Sequence, residues 1–225
     1  MTAREQFIDV IRKALGRTET PARFTYRHCV HTDVMKESSR DELARAFIEY
    51  SETIGAGVCE TTGEGLNRTI REAVSECAAG PVILENHALF RELDTIATLE
   101  PGRAVRLWNT EDSRENNIRF AEKAAVGIAV AKMALAESAT VLLFSHKGCG
   151  RSVTLLPESV IYIIPKSVIR PRLTQGMEFL RRSNEPCPSS INFVSGPSAT
   201  SDIELVRVVG VHGPVYVTHI VVQDM

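Results

Sequence analysis

Residues 126–165 decide the fold: VGIAVAKMALAES (126–138) runs into ATVLLFS (139–145), followed by SVTLLP (152–157) and SVIYIIP (159–165). Each run is short and largely apolar, and each stops at Gly, Ser or Pro. Strands covered on both faces are written this way, because neither face meets water. Outward toward the amino end, strand and helix alternate. GAGVCE (55–60) reads as a strand, 67–78 as a helix, 81–84 as a strand, 87–93 as a short helix and 104–108 as a strand. Earlier still, Ser39 or Asp41 caps a helix whose stripe includes Leu43, Phe47 and Ile54. On the carboxyl side the pattern predicts a helix over 170–182 and strands over 191–194 and 215–222. A loop-and-helix region, GPSATSDIELVRVVGVHGP, separates those last two strands. This cadence implies βαβ crossovers and an α/β fold with a mainly parallel sheet.

The 225 residues, 44% hydrophobic and 24% charged, fit one α/β domain with an added arm. In Thr2–Leu15, the residues Phe7, Ile8, Ile11, Ala14 and Leu15 share one helical stripe, and Gly16 ends it. Residues 17–33 lack a period and read as a linker. The boundaries expected are therefore 1–35 for a helical arm with its linker and 36–225 for the α/β domain. The arm's apolar stripe needs a cover, either its own domain or a second copy, which would make a homodimer. The formal charge of −2 gives no reason to expect a nucleic-acid groove or a membrane-binding face. The amino end is charged throughout, and no window approaches the roughly 20 apolar residues of a membrane span. A cytoplasmic protein with reduced thiols is expected. Its five cysteines, Cys29, Cys59, Cys77, Cys149 and Cys187, form no C-x-x-C pair. No metal site and no cofactor are therefore expected in this chain, and any redox metal would belong to another polypeptide.

Three segments carry chemistry. Glu137, Ser138 and Thr140 precede a buried strand, at a sheet edge where open α/β folds place their sites. The same position also suits a turn cap and a strand start. In SHKGCGRS (145–152), Gly148 and Gly150 let the backbone curl into a nest of N–H groups, with Lys147, Arg151 and Ser152 around it. This suits a carboxylate or phosphate, or else forms a tight hairpin with exposed basic residues. It lacks P-loop spacing, and no helix pattern follows it. Cys149 beside two cations could have a lowered thiol pKa. In SGPSATSDIE (195–204), Gly196, Ser198 and Thr200 lead into an expected helix with Asp202 and Glu204 at its start. His212, between two glycines, is a candidate proton carrier or a hydrogen-bonded loop residue. The late glycine-containing bends are expected to gather at one rim of the sheet.

AESAT (136–140), GCGRSVTLLP (148–157), SGPSATSDIE (195–204) and GVHGP (210–214) occur in the order and form of the LUD domain family, which the chain resembles from about residue 125 onward. The family's pattern has T-G-T where Ser138, Ala139 and Thr140 stand here, so a glycine is replaced by alanine. The resemblance implies a three-layer α/β/α sandwich of the NagB/RpiA/CoA-transferase-like group. It also implies a role in oxidising lactate to pyruvate beside a cysteine-rich subunit and an iron–sulfur subunit that carry the clusters. On that reading Glu137, Asp202 and His212 are candidate catalytic groups. Thr140, Lys147, Gly148, Gly150, Arg151, Ser152, Gly196, Ser198 and Thr200 are candidates for holding a small anion. The fold also permits a stand-alone sugar-phosphate isomerase or acyl/CoA-transferase, or a scaffold with an inert pocket.

Overall fold

The computed structural model describes residues 2–17, 30–182, 186, 188–202 and 204–225. It divides into two compact units after Val30. In the first, helix α1 (Ala3–Ala14) opens with a capping box: Glu5 N donates to the Thr2 hydroxyl, and the Glu5 carboxylate accepts from Thr2 N. Gly16, at φ 63°, ends the helix where the pattern stops.

Helix α2 (Val30–Asp33) begins at the division, and the further helices of the second unit are α3 (Arg40–Thr53), α4 (Leu66–Glu76), α5 (Ala88–Glu92), α6 (Thr95–Leu99), α7 (Arg114–Lys123), α8 (Ser152–Leu155) and α9 (Leu173–Arg182). The strands are β1 (Gly57–Thr61), β2 (Val82–Leu84), β3 (Val105–Leu107), β4 (Val126–Val130), β5 (Met133–Leu135), β6 (Thr140–Ser145), β7 (Ser159–Pro165), β8 (Ile169–Arg170), β9 (Ser190–Ser195), β10 (Ala199–Thr200), β11 (Val208–Val209) and β12 (Tyr216–Val222). Ser39 caps α3 in a second capping box with Glu42.

Six strands form one parallel sheet in the order β1-β12-β7-β4-β2-β3. The expected α/β class with a mainly parallel sheet is what the chain adopts. One face packs on α4, α5 and α6 through Leu66, Ile70, Val74, Phe90 and Leu99. The other carries α3 through Leu43 and Phe47, and α7 and α8 through Ala121 and Val153. Gly127 on β4 is what lets α8 lie so close: an added Cβ would stand 1.9 Å from the Val153 carbonyl oxygen.

Part of the second half departs from expectation. The 126–138 run is two strands in two sheets. Ala131 N still donates to Ile163 O of the large sheet, while Lys132 N donates to Leu142 O of a smaller, four-stranded sheet in the order β8-β5-β6-β9. SVTLLP is largely helix α8 rather than a strand, so a short helix does follow the glycine turn. An apolar run this short has no period that distinguishes the two. No helix starts at Ser198. Glu204 and Leu205 sit at φ 53° and 59°, left-handed values that an α-helix excludes, and β10 and β11 pair as a small hairpin.

From the carboxyl end of β2 the chain goes to β3 on one side, and from that of its neighbour β4 it goes on to β7 on the other. Such a switch point opens a crevice at the carboxyl ends of the strands.

Candidate functional site at the sheet switch point

Glu85 directly follows β2, and its side chain is 7% exposed. One carboxylate oxygen accepts from Val130 N, at the end of β4, at 2.8 Å. The other lies 2.8 Å from His146 Nε2, just past the end of β6. The far ring nitrogen, Nδ1, accepts from Gly148 N at 3.1 Å, so the proton of a neutral ring sits on Nε2 and is donated to Glu85. His146 and Cys149 close a two-residue turn by exchanging both backbone hydrogen bonds at 3.0 Å. The turn is anchored where Asn86 N donates to Gly148 O at 2.7 Å.

Both glycines of the turn make close approaches. A Cβ on Gly148 would meet Asn86 O at 2.9 Å, and one on Gly150 would meet the Trp108 indole at 2.4 Å. Two clefts flank the turn and share Ser145, His146, Cys149 and Ser189. One, of about 650 Å³, has the Trp108 ring against Gly150 and the guanidinium groups of Arg114 and Arg151 on its wall. Among the described residues, no carboxylate pairs with either arginine. The other, of about 760 Å³, is lined by Glu85, Lys132, Phe144 and Lys147, with Lys132 Nζ 5.7 Å from the Phe144 ring centre. Cationic walls, serine hydroxyls and an imidazole N–H paired with a carboxylate suit a small oxyanion and a proton at one place.

Cys149 is not a low-pKa thiol. Burial pushes its pKa up, and the Glu85 charge adds to the shift.

The late bends do not meet at one rim. Strands β6 and β9 are antiparallel, with Ser145 opposite Ser190 and Thr140 opposite Ser195. Residues 146–152 therefore lie at one end of this ladder and 196–202 at the other, about 17–20 Å apart at strand rise. Lys147, Gly148, Gly150, Arg151 and Ser152 belong to the cleft region. Glu137, Thr140, Gly196, Ser198, Thr200, Asp202 and His212 lie at the opposite end. There Glu137 is paired with Arg172 at 2.6 Å, and the Thr140 hydroxyl is bonded to Ser138 and Ser195, each at 2.7 Å. Gly196, at φ 65°, packs on Ile54 just before β1. Ser198 N donates to Pro214 O, tying SGPSAT to GVHGP. Thr200 Oγ1 accepts from Asp202 N, and Asp202 is exposed. His212 is exposed on a separate cleft with Lys123 and Glu158. The candidates Glu137, Asp202 and His212 therefore share no cleft with the glycine turn.

Glu85, Arg114 and Trp108 were not among the sequence candidates, and neither was His146, although it lies inside a quoted motif. The available signal was Glu85 directly after the strand VIL, a carboxylate at a strand's carboxyl end.

Cys59, Cys77 and Cys149 carry free thiols, and Cys29 and Cys187 lie outside the described residues. Among the described residues no group of three His, Cys, Asp or Glu side chains is placed to hold a metal ion, and no helix is long and apolar enough to cross a membrane.

The profile of the LUD domain family matches residues 30–222. Lactate utilization protein C of Bacillus subtilis (strain 168) is 39% identical over 230 residues, covering 98% of this chain and 96% of that protein. The protein of the same description from Geobacillus sp. (strain WCH70) is 38% identical over 232 residues, with the same coverage of both chains. A crystal structure of a DUF162 family protein from Deinococcus radiodurans superposes with a TM-score of 0.60 at 22% identity, covering 82% of this chain and 99% of that one.

Proposed function

This chain belongs to the LUD domain family, and from that premise we propose that it serves lactate utilisation in the cytoplasm as the cluster-free member of a set that oxidises lactate to pyruvate. Its task in that set is to hold a small carboxylate or phosphate-like anion in the clefts at the carboxyl ends of β2, β4 and β6. Iron–sulfur clusters on a cysteine-rich and an iron–sulfur partner supply the electron route. Arg114 and Arg151 bind the anion's charge, and the Glu85–His146 pair holds a proton beside it.

The observation that carries this reading is the placement of that carboxylate–imidazole pair at the switch point, between clefts with cationic walls. Glu85 is engaged through both oxygens, and Glu137 is held by Arg172. Neither is presented as a nucleophile, which weighs against a stand-alone acyl/CoA-transferase.

Thermal unfolding with lactate, pyruvate or phosphate tests the binding. A ligand at a hundred times its dissociation constant adds about 2.7 kcal/mol. Affinity purification from native extract should recover iron–sulfur polypeptides. No stabilisation by any of the three anions would overturn the binding role, and repeated recovery of the chain alone would overturn the assembly.

A further inference from the structure

One row of residues crosses four adjacent strands of the parallel sheet. His219 on β12 is register-paired with Tyr162 on β7, and Tyr162 with Ala129 on β4. Leu84 on β2 is paired with Ile128, which sets Glu85 opposite Ala129. Register mates of a parallel sheet send their side chains to one face. Glu85, Tyr162 and His219 thus form a polar line with a single methyl group in it, beneath α3.

The α3 end of the line is fully assigned by its hydrogen bonds. Ser51 Oγ donates to Phe47 O at 2.7 Å, so it accepts from His219 Nδ1–H at 2.8 Å, and His219 Nε2 is left as an acceptor. Burial lowers the His219 pKa to about 4, which keeps the ring neutral. Burial, with Cys149 second, raises the Tyr162 pKa, which keeps its hydroxyl a donor. The two ring centres are 6.0 Å apart. Yet Tyr162 Oη and His219 Nε2, both buried, have no hydrogen-bond partner among the described residues. Register-paired neighbours thus carry a buried unbonded donor and a buried unbonded acceptor, a pair that one water molecule satisfies by accepting from the first and donating to the second.

We propose that this row holds internal water, bound between Tyr162 Oη and His219 Nε2 and continuing over Ala129 to the cleft. Tyr162 and His219 are thereby positioning residues for the Glu85–His146 pair. Ala129 supplies the room: it is buried, yet it also lines the cleft that Glu85 enters. The occupant is water because both polar atoms are screened from solvent, and the Ala129 methyl leaves space on the Glu85 side of Tyr162 through which the water reaches the cleft. The inference takes the Glu85–His146 pair as the centre of the site, as above. Its test reads hydration and protonation, so it fails separately from anion binding.

The test combines Tyr162→Phe with magnetic resonance of the wild-type chain. A water-bonded hydroxyl lost to phenylalanine lowers Tm by about 2–4 °C. Losing an unbonded buried hydroxyl would raise it. Water-to-protein Overhauser effects should appear at the Tyr162 and His219 rings. The ring-nitrogen resonances of His146, which report its hydrogen bond to Glu85, should move in Tyr162→Phe. They should not move in Ile161→Val, a loss of packing on the opposite face of the same strand. A higher Tm for Tyr162→Phe, rings without water contacts, or His146 resonances that ignore Tyr162 would each overturn the proposal.

Discussion

Glu85 and His146 lie 61 positions apart in the chain and 2.8 Å apart in the fold, and the hydrogen bond between them fixes which ring nitrogen carries the proton. Gly148 N occupies the other nitrogen, so the turn and the carboxylate demand the same tautomer.

Glu85→Gln breaks that agreement. Val130 N needs an acceptor, so the amide oxygen turns toward it and the NH2 faces Nε2. The ring proton must then move to Nδ1, against the Gly148 N–H. Faster amide exchange at Gly148 and Cys149 is expected, measured by deuterium uptake. Glu85→Ala also orphans the Val130 N–H and should lose about 2–3 kcal/mol in urea unfolding. Unchanged exchange in the Gln variant would refute the assigned tautomer.

Gly127→Ala places a methyl carbon 1.9 Å from the Val153 carbonyl oxygen. Backbone holds that oxygen, so α8 must move off β4. A loss above about 3 kcal/mol is expected. A denaturant midpoint near wild type would show that α8 does not pack here.

The His219 ring has a folded pKa of about 4 against an ordinary 6.5. The unfolded chain therefore binds a proton between these values that the folded chain refuses. This contribution to stability is complete above about pH 6.5 and is lost as pH falls toward 4, amounting to about 3 kcal/mol. Urea unfolding at pH 7 and pH 4.5 should show the loss, and His219→Gln should flatten it. An equal slope in the variant would contradict the assignment.

Arg114→Ala and Arg151→Ala should each weaken anion binding by roughly 10-fold or more, the value of a charge-assisted hydrogen bond. Titration calorimetry with the stabilising anion measures it. His212→Ala, at the other end of the sheet, serves as the control and should bind as wild type.

The architecture was legible where local signals agreed with tertiary demand. Ser39 followed by Glu42 announces α3, and the apolar runs of β6 and β7 announce buried strands. Helix α7 (RENNIRFAEK) escaped because it buries little beyond Asn117 and Ala121, too few positions to make a period. The 199–209 segment was misread because its alternating apolar residues also fit a helix, and nothing local reveals the left-handed Glu204 and Leu205. Ala139 takes a left-handed conformation, φ 44°, that glycine adopts more readily, and nothing in the local sequence announces it. The site itself was half legible. The glycine turn is a contiguous motif, whereas Glu85, Arg114 and Trp108 join it only through the order of strands. The SGPSAT motif was expected beside that turn, and the antiparallel β6–β9 ladder carries it to the opposite end.

Strand β12 comes after every other strand in chain order, yet it lies between β1 and β7 and pairs with both. During synthesis, β1 has no partner in the large sheet until residues 216–222 clear the ribosomal exit tunnel. The nascent chain must meanwhile carry an open slot with two unpaired edges, a template for wrong pairing with neighbouring chains. The large sheet is therefore complete only once β12, the last of its strands to be made, has entered that slot and paired with both edges.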